Sequence, residues 1–348
     1  QIDGTSETNT ITFEGKSGNR ADVTIVGGGY SEPAYGSHKE GLFYIDSTSY
    51  VTVKNLSIVP CTQTYPSAIH VYNQSRHVTI DNVYVKADLV TSGYSGMYLV
   101  QTESKDEEGK NNDYLTVSNC EFYGGYMALR IGGTSYVRLT HEKGAKVINN
   151  IINEPGSKGI YFADENDGTI EGNTIFQSTS ARTSYWGMDL MRVRGNMVIR
   201  NNKITNTHSY YSGGIYLRTT CYGNEDQPIL VYNNSIKDQR YYDITVEQLL
   251  RHQAGFNNYA GDPVSSTRYI MMQNHLKTPP DHPTLLKILL KRHLGYTPGE
   301  GKCYSNLGYM ILSMSIEKKS GMKYENFMQK YVLKPAGCYD MHIAGTYL

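Results

Sequence analysis

The sequence predicts an all-β stack of short strands followed by a smaller, mainly helical segment, and three observations predict it. One strand-and-turn motif recurs seven times before residue 237, a second recurs between its copies, and after Ile236 the two-residue alternation gives way to helix signals. The 348 residues divide accordingly into 1–237 and 238–348. Composition shifts near the same place. Residues 1–239 hold 20 Lys and Arg against 25 Asp and Glu, whereas residues 240–348 hold 13 against 8 and are richer in leucine. Two small opposite charges and no basic block give no ground for nucleic acid or an anionic membrane surface as partner.

The first motif is apolar-x-Asn-x-x-apolar: VKNLSI at 53, IDNVYV at 80, VSNCEF at 117, VINNII at 147, IEGNTI at 170, IRNNKI at 199 and VYNNSI at 231. The second is small-apolar-x-apolar: AIHV at 68, GMYL at 96, ALRI at 128, GIYF at 159, GMDL at 187 and GIYL at 214. Read as short strands with apolar side chains on one face, repeating with turn residues between them, these motifs form coils whose apolar columns make a continuous interior. The asparagine column (Asn55, Asn82, Asn119, Asn149, Asn201, Asn233, with Gly172 in the same slot) is read as the bend. Asparagine and glycine tolerate left-handed backbone, and stacked amides bond from coil to coil.

This stretch, from about residue 10 to 237, resembles the right-handed parallel β-helix proteins, among them pectate lyases and polygalacturonases. The handedness, an exported location (secreted, periplasmic or cell-surface) and a polysaccharide partner are what the resemblance implies; a leader removed before Gln1 is consistent with it. The lyase and polygalacturonase signatures themselves are absent, so function has to be argued from the surface. In the second motif the residue between the apolar positions points outward, giving a column of His70, Tyr98, Arg130, Tyr161, Asp189 and Tyr216, flanked by Asp164, Arg192 and Arg218. Rings that stack on sugars, with arginine and aspartate for hydroxyls or uronate carboxylates, suit an elongated glycan groove. His70, Tyr98, Arg130 and Tyr216 are the expected binding residues. Two chemistries compete at Tyr161, Asp164, Asp189, Arg192 and Arg218. Asp164 and Asp189 would divide acid and base roles in glycoside hydrolysis, or an arginine would stabilise the charge formed when tyrosine or histidine abstracts a proton beside a uronate carboxyl. A mixed, solvated outer face is the third reading.

No metal or cofactor is required. Calcium near Asp164 and Asp167 in ADENDGT is the one cation expectation, and ESKDEEGKNND (103–113) reads as a solvated loop. The histidines His38, His77, His141 and His208 show no metal spacing. Five dispersed cysteines (Cys61, Cys120, Cys221, Cys303, Cys338) read as buried thiols, and no apolar run reaches membrane-span length.

In the second segment, helices are expected at 246–254, with Thr245 and Gln248 as a capping box, and at 284–294, 306–320 and 323–333. ITVEQLLRHQAGF (244–256) and TPGEGKCYSNLGYMIL (297–312), with the run on to 341, are similar to the serine β-lactamase and penicillin-binding-protein family; the resemblance covers about 241–345. It implies that Tyr304 manages the proton of a nucleophilic serine and that Asn306 bonds the substrate. Ala254 stands where serine is usual, and no Ser-x-x-Lys precedes Tyr304. Ser315 with Lys318 lies in the following helix, among packing residues. The segment is therefore expected to be an inactive fragment that lacks the sheet its helices pack on and must cover its apolar faces elsewhere. The preferred function is an exported solenoid that binds or cleaves polysaccharide. A serine hydrolase using Tyr304 and Asn306, and a purely structural or adhesive solenoid, are the alternatives.

Overall fold

A computed structural model describes residues 4–27, 41–60, 67–90, 97–104, 109–132, 141–178, 184–206, 211–218, 228–256, 264–290, 292 and 294–342. Two compact units result, Gln1–Lys237 and Asp238–Leu348. Cys61, Cys221, His38 and His208 lie outside the described residues.

The first unit is a parallel β-helix. Sheet one has eight strands, Ile11–Glu14, Val51–Lys54, Thr79–Asp81, Thr116–Ser118, Lys146–Ile148, Thr169–Glu171, Val198–Arg200 and Leu230–Tyr232, in sequence order across the sheet. Sheet two has eight, from Thr24–Val26 to Ser235–Asp238, and sheet three has seven, from Gly41–Asp46 to Tyr211–Arg218. Every strand of these sheets pairs parallel with the corresponding strand of the next coil, for example Val147 with Ile170 and Ile170 with Ile199. Such ladders place each apolar residue above its equivalent. Val53, Ile80, Val117, Val147, Ile170 and Ile199 of sheet one are fully buried against Ile58, Val85, Phe122, Ile152, Ile175 and Ile204 of sheet two.

Each copy of the first motif spans two strands. In VINNII the end of a sheet-one strand turns at Asn149 into a sheet-two strand starting at Ile151. The turn residue is left-handed in every copy, with φ between 50° and 58° at the six asparagines and 69° at Gly172, as the residue types require. In the expected column Asn82 Nδ2 donates to Asn55 Oδ1 at 2.8 Å, and a second, buried amide ladder runs one position later. Asn150 Nδ2 donates to Asn173 Oδ1 at 3.0 Å, Asn173 Nδ2 to Asn202 Oδ1 at 2.9 Å, and Asn202 Nδ2 to Asn234 Oδ1 at 2.9 Å. Each of those oxygens also accepts the backbone N–H of the preceding coil's asparagine, and each amide donates to a strand carbonyl of the preceding motif copy, such as Asn173 to Val147 O. In the earlier coils Leu56, Val83 and Cys120 fill the same slot; Cys120 N donates to Asn150 Oδ1, and the Cys120 sulfur accepts Val83 N. Burial pushes that thiol up to about 12, so it is an inert structural acceptor.

The small residue of the second motif also has a cause. A Cβ at Gly159 would lie 2.8 Å from the Ile175 side chain, and one at Gly214 would lie 2.6 Å from Ile236. A second left-handed column, unread in the sequence, runs Tyr50, His77, Tyr114, Gly144, Asp167 and Gly195. Its rings stack at 4.7 Å and 4.8 Å, which gives His77 a structural place.

The second unit contains helices α1 (Val246–Leu250), α2 (Thr267–Gln273), α3 (His282–Leu289), α4 (Asn306–Ser320) and α5 (Tyr324–Met328), the last continuing as a π-helical turn over Gln329–Leu333. The Thr245–Gln248 capping box is present; α4 begins at N-cap Ser305 and stops at left-handed Gly321. Helix α1 is shorter than expected because His252 turns left-handed. Helix α2 was not foreseen; Ser266 at its N-cap makes no side-chain bond, as Lys323 at that of α5 makes none. Leu249, Phe256, Ile270, Leu285, Leu289, Leu307 and Met310 form the core, while Val246, Leu250, Met272, Tyr309, Tyr331 and Val332 remain exposed. No described helix is long and apolar enough to cross a membrane.

The amide ladder predicts that Asn173→Ala lowers unfolding stability by about 3 kcal/mol, the scale of leaving buried amide donors unpaired. Asn201→Gly, in the outer left-handed column where Gly172 already serves, changes it by under about 1 kcal/mol. Urea unfolding followed by circular dichroism checks both.

Candidate functional site

The outer face of sheet three collects most of the candidate residues. Register runs Tyr44, His70, Gln101, Arg130, Tyr161, Asp189, Tyr216 across the seven strands. Gln101 takes the place expected for Tyr98, because Val100 and Thr102, not Met97 and Leu99, align with the inward pairs Ile69, Val71 and Leu129, Ile131. Tyr98 is three residues earlier, opposite Ser67 and Met127, and its ring lies 5.3 Å from the Arg130 guanidinium.

Around Asp189 the last coils make a cationic and aromatic patch. Arg218 donates Nε and Nη2 to the two Asp189 oxygens at 2.7 Å and 3.0 Å, and Lys158 Nζ lies 2.9 Å from Oδ2. The Asp189 carboxylate is buried, so it acts as a fork that holds two cations at the surface. Both cations also reach the Tyr161 ring, Lys158 at 4.7 Å and Arg218 at 6.0 Å. Beside them Trp186 and Tyr216 stack at 4.3 Å with 22° between their planes. Lys158 and Trp186 were missed in the sequence, since each falls one residue before the four-letter motif that was read.

Asp164 is differently placed. It lies at a left-handed corner, 1% exposed, and receives Arg192 Nε at 2.7 Å and Nη2 at 2.6 Å in a buried bidentate pair. Removing either partner strands a buried charge, which makes this pair a corner brace. The two aspartates proposed as acid and base are thus each engaged by arginine. Burial raises the Tyr161 hydroxyl above the ordinary phenol range, the nearby Arg218 opposing, so it is a neutral donor and a poor base near neutral pH. Asp167 is committed to Asn196 N at 2.8 Å and faces Lys143 Nζ at 3.5 Å. Among the described residues no group of three or more His, Cys, Asp and Glu is arranged to hold a metal ion, and the expected calcium position has no such ligand set.

Two buried glutamates lie next to this corner. Glu142 and Glu165 are register partners on adjacent coils and are 2% and 0% exposed. Glu142 accepts Ser104 Oγ, Asn112 Nδ2 and Thr102 Oγ1 at 2.6–2.9 Å, so the loop read as solvated turns Asn112 inward. Glu165 accepts Ala145 N at 2.8 Å through Oε1, while its buried Oε2 has no hydrogen-bond partner among the described residues. Burial, then the neighbouring Glu142, holds the Glu165 carboxyl well above the usual range. Burial also raises Glu142, against its three donors.

At the Tyr304 site of the second unit, Tyr304 is 64% exposed and its hydroxyl donates to Asn306 Oδ1 at 3.0 Å. His252 packs against the Tyr304 and Tyr309 rings, and its Nδ1 accepts Ser305 N at 3.3 Å. Ser315 Oγ donates to Ile311 O within α4, as a packing residue does. Cys303 and Cys338 are free thiols that are only partly buried.

The family model described as right handed beta helix region matches residues 40–260. The chain belongs to the right-handed β-helix family. A β-lactamase family model matches residues 225–346. The chain is 31% identical over 108 residues to penicillin-binding protein 4* of Bacillus subtilis (strain 168), covering 30% of this chain and 22% of that protein. It is 35% identical over 95 residues to the putative fimbrial assembly protein FimD, serogroup D, of Dichelobacter nodosus, covering 27% and 22%. The chain therefore spans about a fifth of the length of these relatives. Among solved structures, the GH136 lacto-N-biosidase from Eubacterium ramulus is similar at a TM-score of 0.37 and 10% identity, over 66% of this chain and 58% of that one. In this β-helix protein, sheet three carries a cationic aromatic patch, and the second unit lies within the stretch that matches the β-lactamase family model.

The glutamate pair predicts a pH dependence. Between the ordinary carboxylate range and the raised value of Glu165, the unfolded chain releases a proton that the folded chain keeps, so stability falls as pH rises through that window. Glu165→Gln flattens the slope, leaving only the share that Glu142 contributes. Its urea midpoint should match the parent at acid pH and exceed it increasingly as pH rises; parallel curves contradict the assignment.

Proposed function

We propose that the β-helix unit binds acidic polysaccharide, uronate-containing or similar, along the outer face of sheet three, and that it does so outside the cytoplasm. The observation that carries this is the patch of Lys158 and Arg218 held by Asp189 beside the rings of Tyr161, Trp186 and Tyr216. A sugar ring presents a flat C–H face to an aromatic plane, and its carboxylate presents paired oxygens to a guanidinium. Two cations against one carboxylate leave the patch positive, which selects an anionic chain. Arg130, one strand further along, extends the positive strip.

Binding is favoured over cleavage. A hydrolase needs one carboxyl ready to give a proton and another ready to attack or activate water, but Asp189 is forked by two cations and Asp164 by Arg192. Elimination needs a base, and Tyr161 is shifted the wrong way for that role. The second unit is read as non-catalytic: the Tyr304 hydroxyl is directed to Asn306, and Ser315 is bonded into its own helix.

Calorimetric titration with a hexamer of galacturonate tests the reading. The parent protein should bind it more tightly than a neutral hexamer, with affinity falling as salt rises. Arg218→Ala and Trp186→Ala should each weaken binding about tenfold, or about 1.4 kcal/mol. Absence of binding to acidic glycans, or binding indifferent to both substitutions, would overturn it.

A further inference from the structure

The charges on the outer face of sheet three are segregated along the coil axis. Its first three strands, GLFYID (41–46), SAIHVY (67–72) and YLVQTE (98–103), contain Asp46 and Glu103 and no lysine or arginine. Its last four, MALRIG (127–132), KGIYFA (158–163), SYWGMDLM (184–191) and YSGGIYLR (211–218), contain Arg130, Lys158 and Arg218 against Asp189 alone. The acidic end is also aromatic. Asp46, Tyr72 and Glu103 are successive register partners, so one ring stands between two carboxylates on a single column. Tyr44 lies parallel to Tyr72 within 28° at 6.0 Å, and His70 meets both edge-on at 5.3 Å and 5.7 Å. Glu103 Oε2 lies 3.6 Å from His70 Nε2 and accepts Gln101 Nε2 at 3.2 Å, while Gln101 accepts Ser67 Oγ at 2.7 Å, so the carboxylate is held in place.

Carboxylates beside tyrosine faces form a receptor for an ammonium group, through ion pairing and attraction to the ring. The strand of Glu103 and the strand of Lys158 are two inter-strand steps apart, about 10 Å. An extended glycan lying across the strands would therefore meet a cation-seeking site and an anion-seeking site on neighbouring stretches of one chain. We propose that the ligand carries both groups: an acidic sugar for the Lys158–Arg218 end and a free, unacetylated amino sugar for the Asp46–Tyr72–Glu103 end. This rests on the reading of sheet three as a glycan-binding face and narrows the class of glycan it takes.

Two heparosan hexasaccharides, alternating glucuronate with glucosamine, test it: one N-acetylated, one with free amines, titrated beside the galacturonate hexamer at a pH at which the amines are protonated. The free-amine hexamer should bind about tenfold tighter than its acetylated parent. Glu103→Gln combined with Asp46→Asn should erase that difference without weakening galacturonate binding. Equal affinity for the two heparosan forms, or a preference that survives in the double variant, overturns the proposal while galacturonate binding leaves the underlying reading standing. If none of the three hexamers binds, the underlying reading fails and the proposal falls with it.

Discussion

The buried asparagine ladder is the interaction on which the rest of the β-helix depends. Asn173 and Asn202 each use one oxygen to accept a side-chain and a backbone donor from the coil before, and one amide to donate to the coil after and to a strand carbonyl; Asn150 accepts the Cys120 backbone N–H, and Asn234 gives its amide to strand carbonyls. Away from water, every one of those groups needs its partner, so the later coils have one register in which all are satisfied. A slip by a single residue would carry the apolar columns to the outside and the amides with them. The ladder thus acts on specificity as much as on stability.

Register is also what gives the outer face its chemistry. Lys158 and Arg218 belong to strands two apart, and only strict stacking brings them to the same Asp189 between them. Likewise Tyr72 stands between Asp46 and Glu103 because three successive coils stack in phase. The carboxylates that would serve catalysis in a sugar-cleaving enzyme are here tied to arginines, and the effect is a rigid charged surface. The fold by itself implies neither outcome, and the arginine partners of Asp164 and Asp189 are what favours binding in the proposed reading.

Much of this was legible in the sequence. The recurring Asn-x-x-apolar spacing located the left-handed turn at Asn55, Asn82, Asn119, Asn149, Asn201 and Asn233, because only a few residue types tolerate that backbone. The hydrogen-bonding column was visible too, as the second asparagine of VINNII, IRNNKI and VYNNSI, but sequence does not reveal which of two adjacent amides faces inward. Tyr98 was placed in the column in error of register because GMYL copies the motif by composition while the strand aligns through Val100. Lys158, Trp186 and Glu103 lay outside the four-residue window although they share the face. Glu142 and Glu165 gave no signal, since charged residues in turns are ordinarily solvated and their burial depends on Thr102, Ser104 and Asn112 arriving from other coils. In the second unit, α1, α3 and α4, which have bonded caps, and α5, which has none, were foreseeable, while α2 was not.

Amide hydrogen exchange of the whole chain, with and without saturating galacturonate hexamer, tests the central claim most directly. The account predicts slowed exchange confined to the sheet-three strands at 127–132, 158–163, 184–191 and 211–218. Protection centred on residues 298–312 around Tyr304, or spread over sheets one and two with sheet three unchanged, would contradict it.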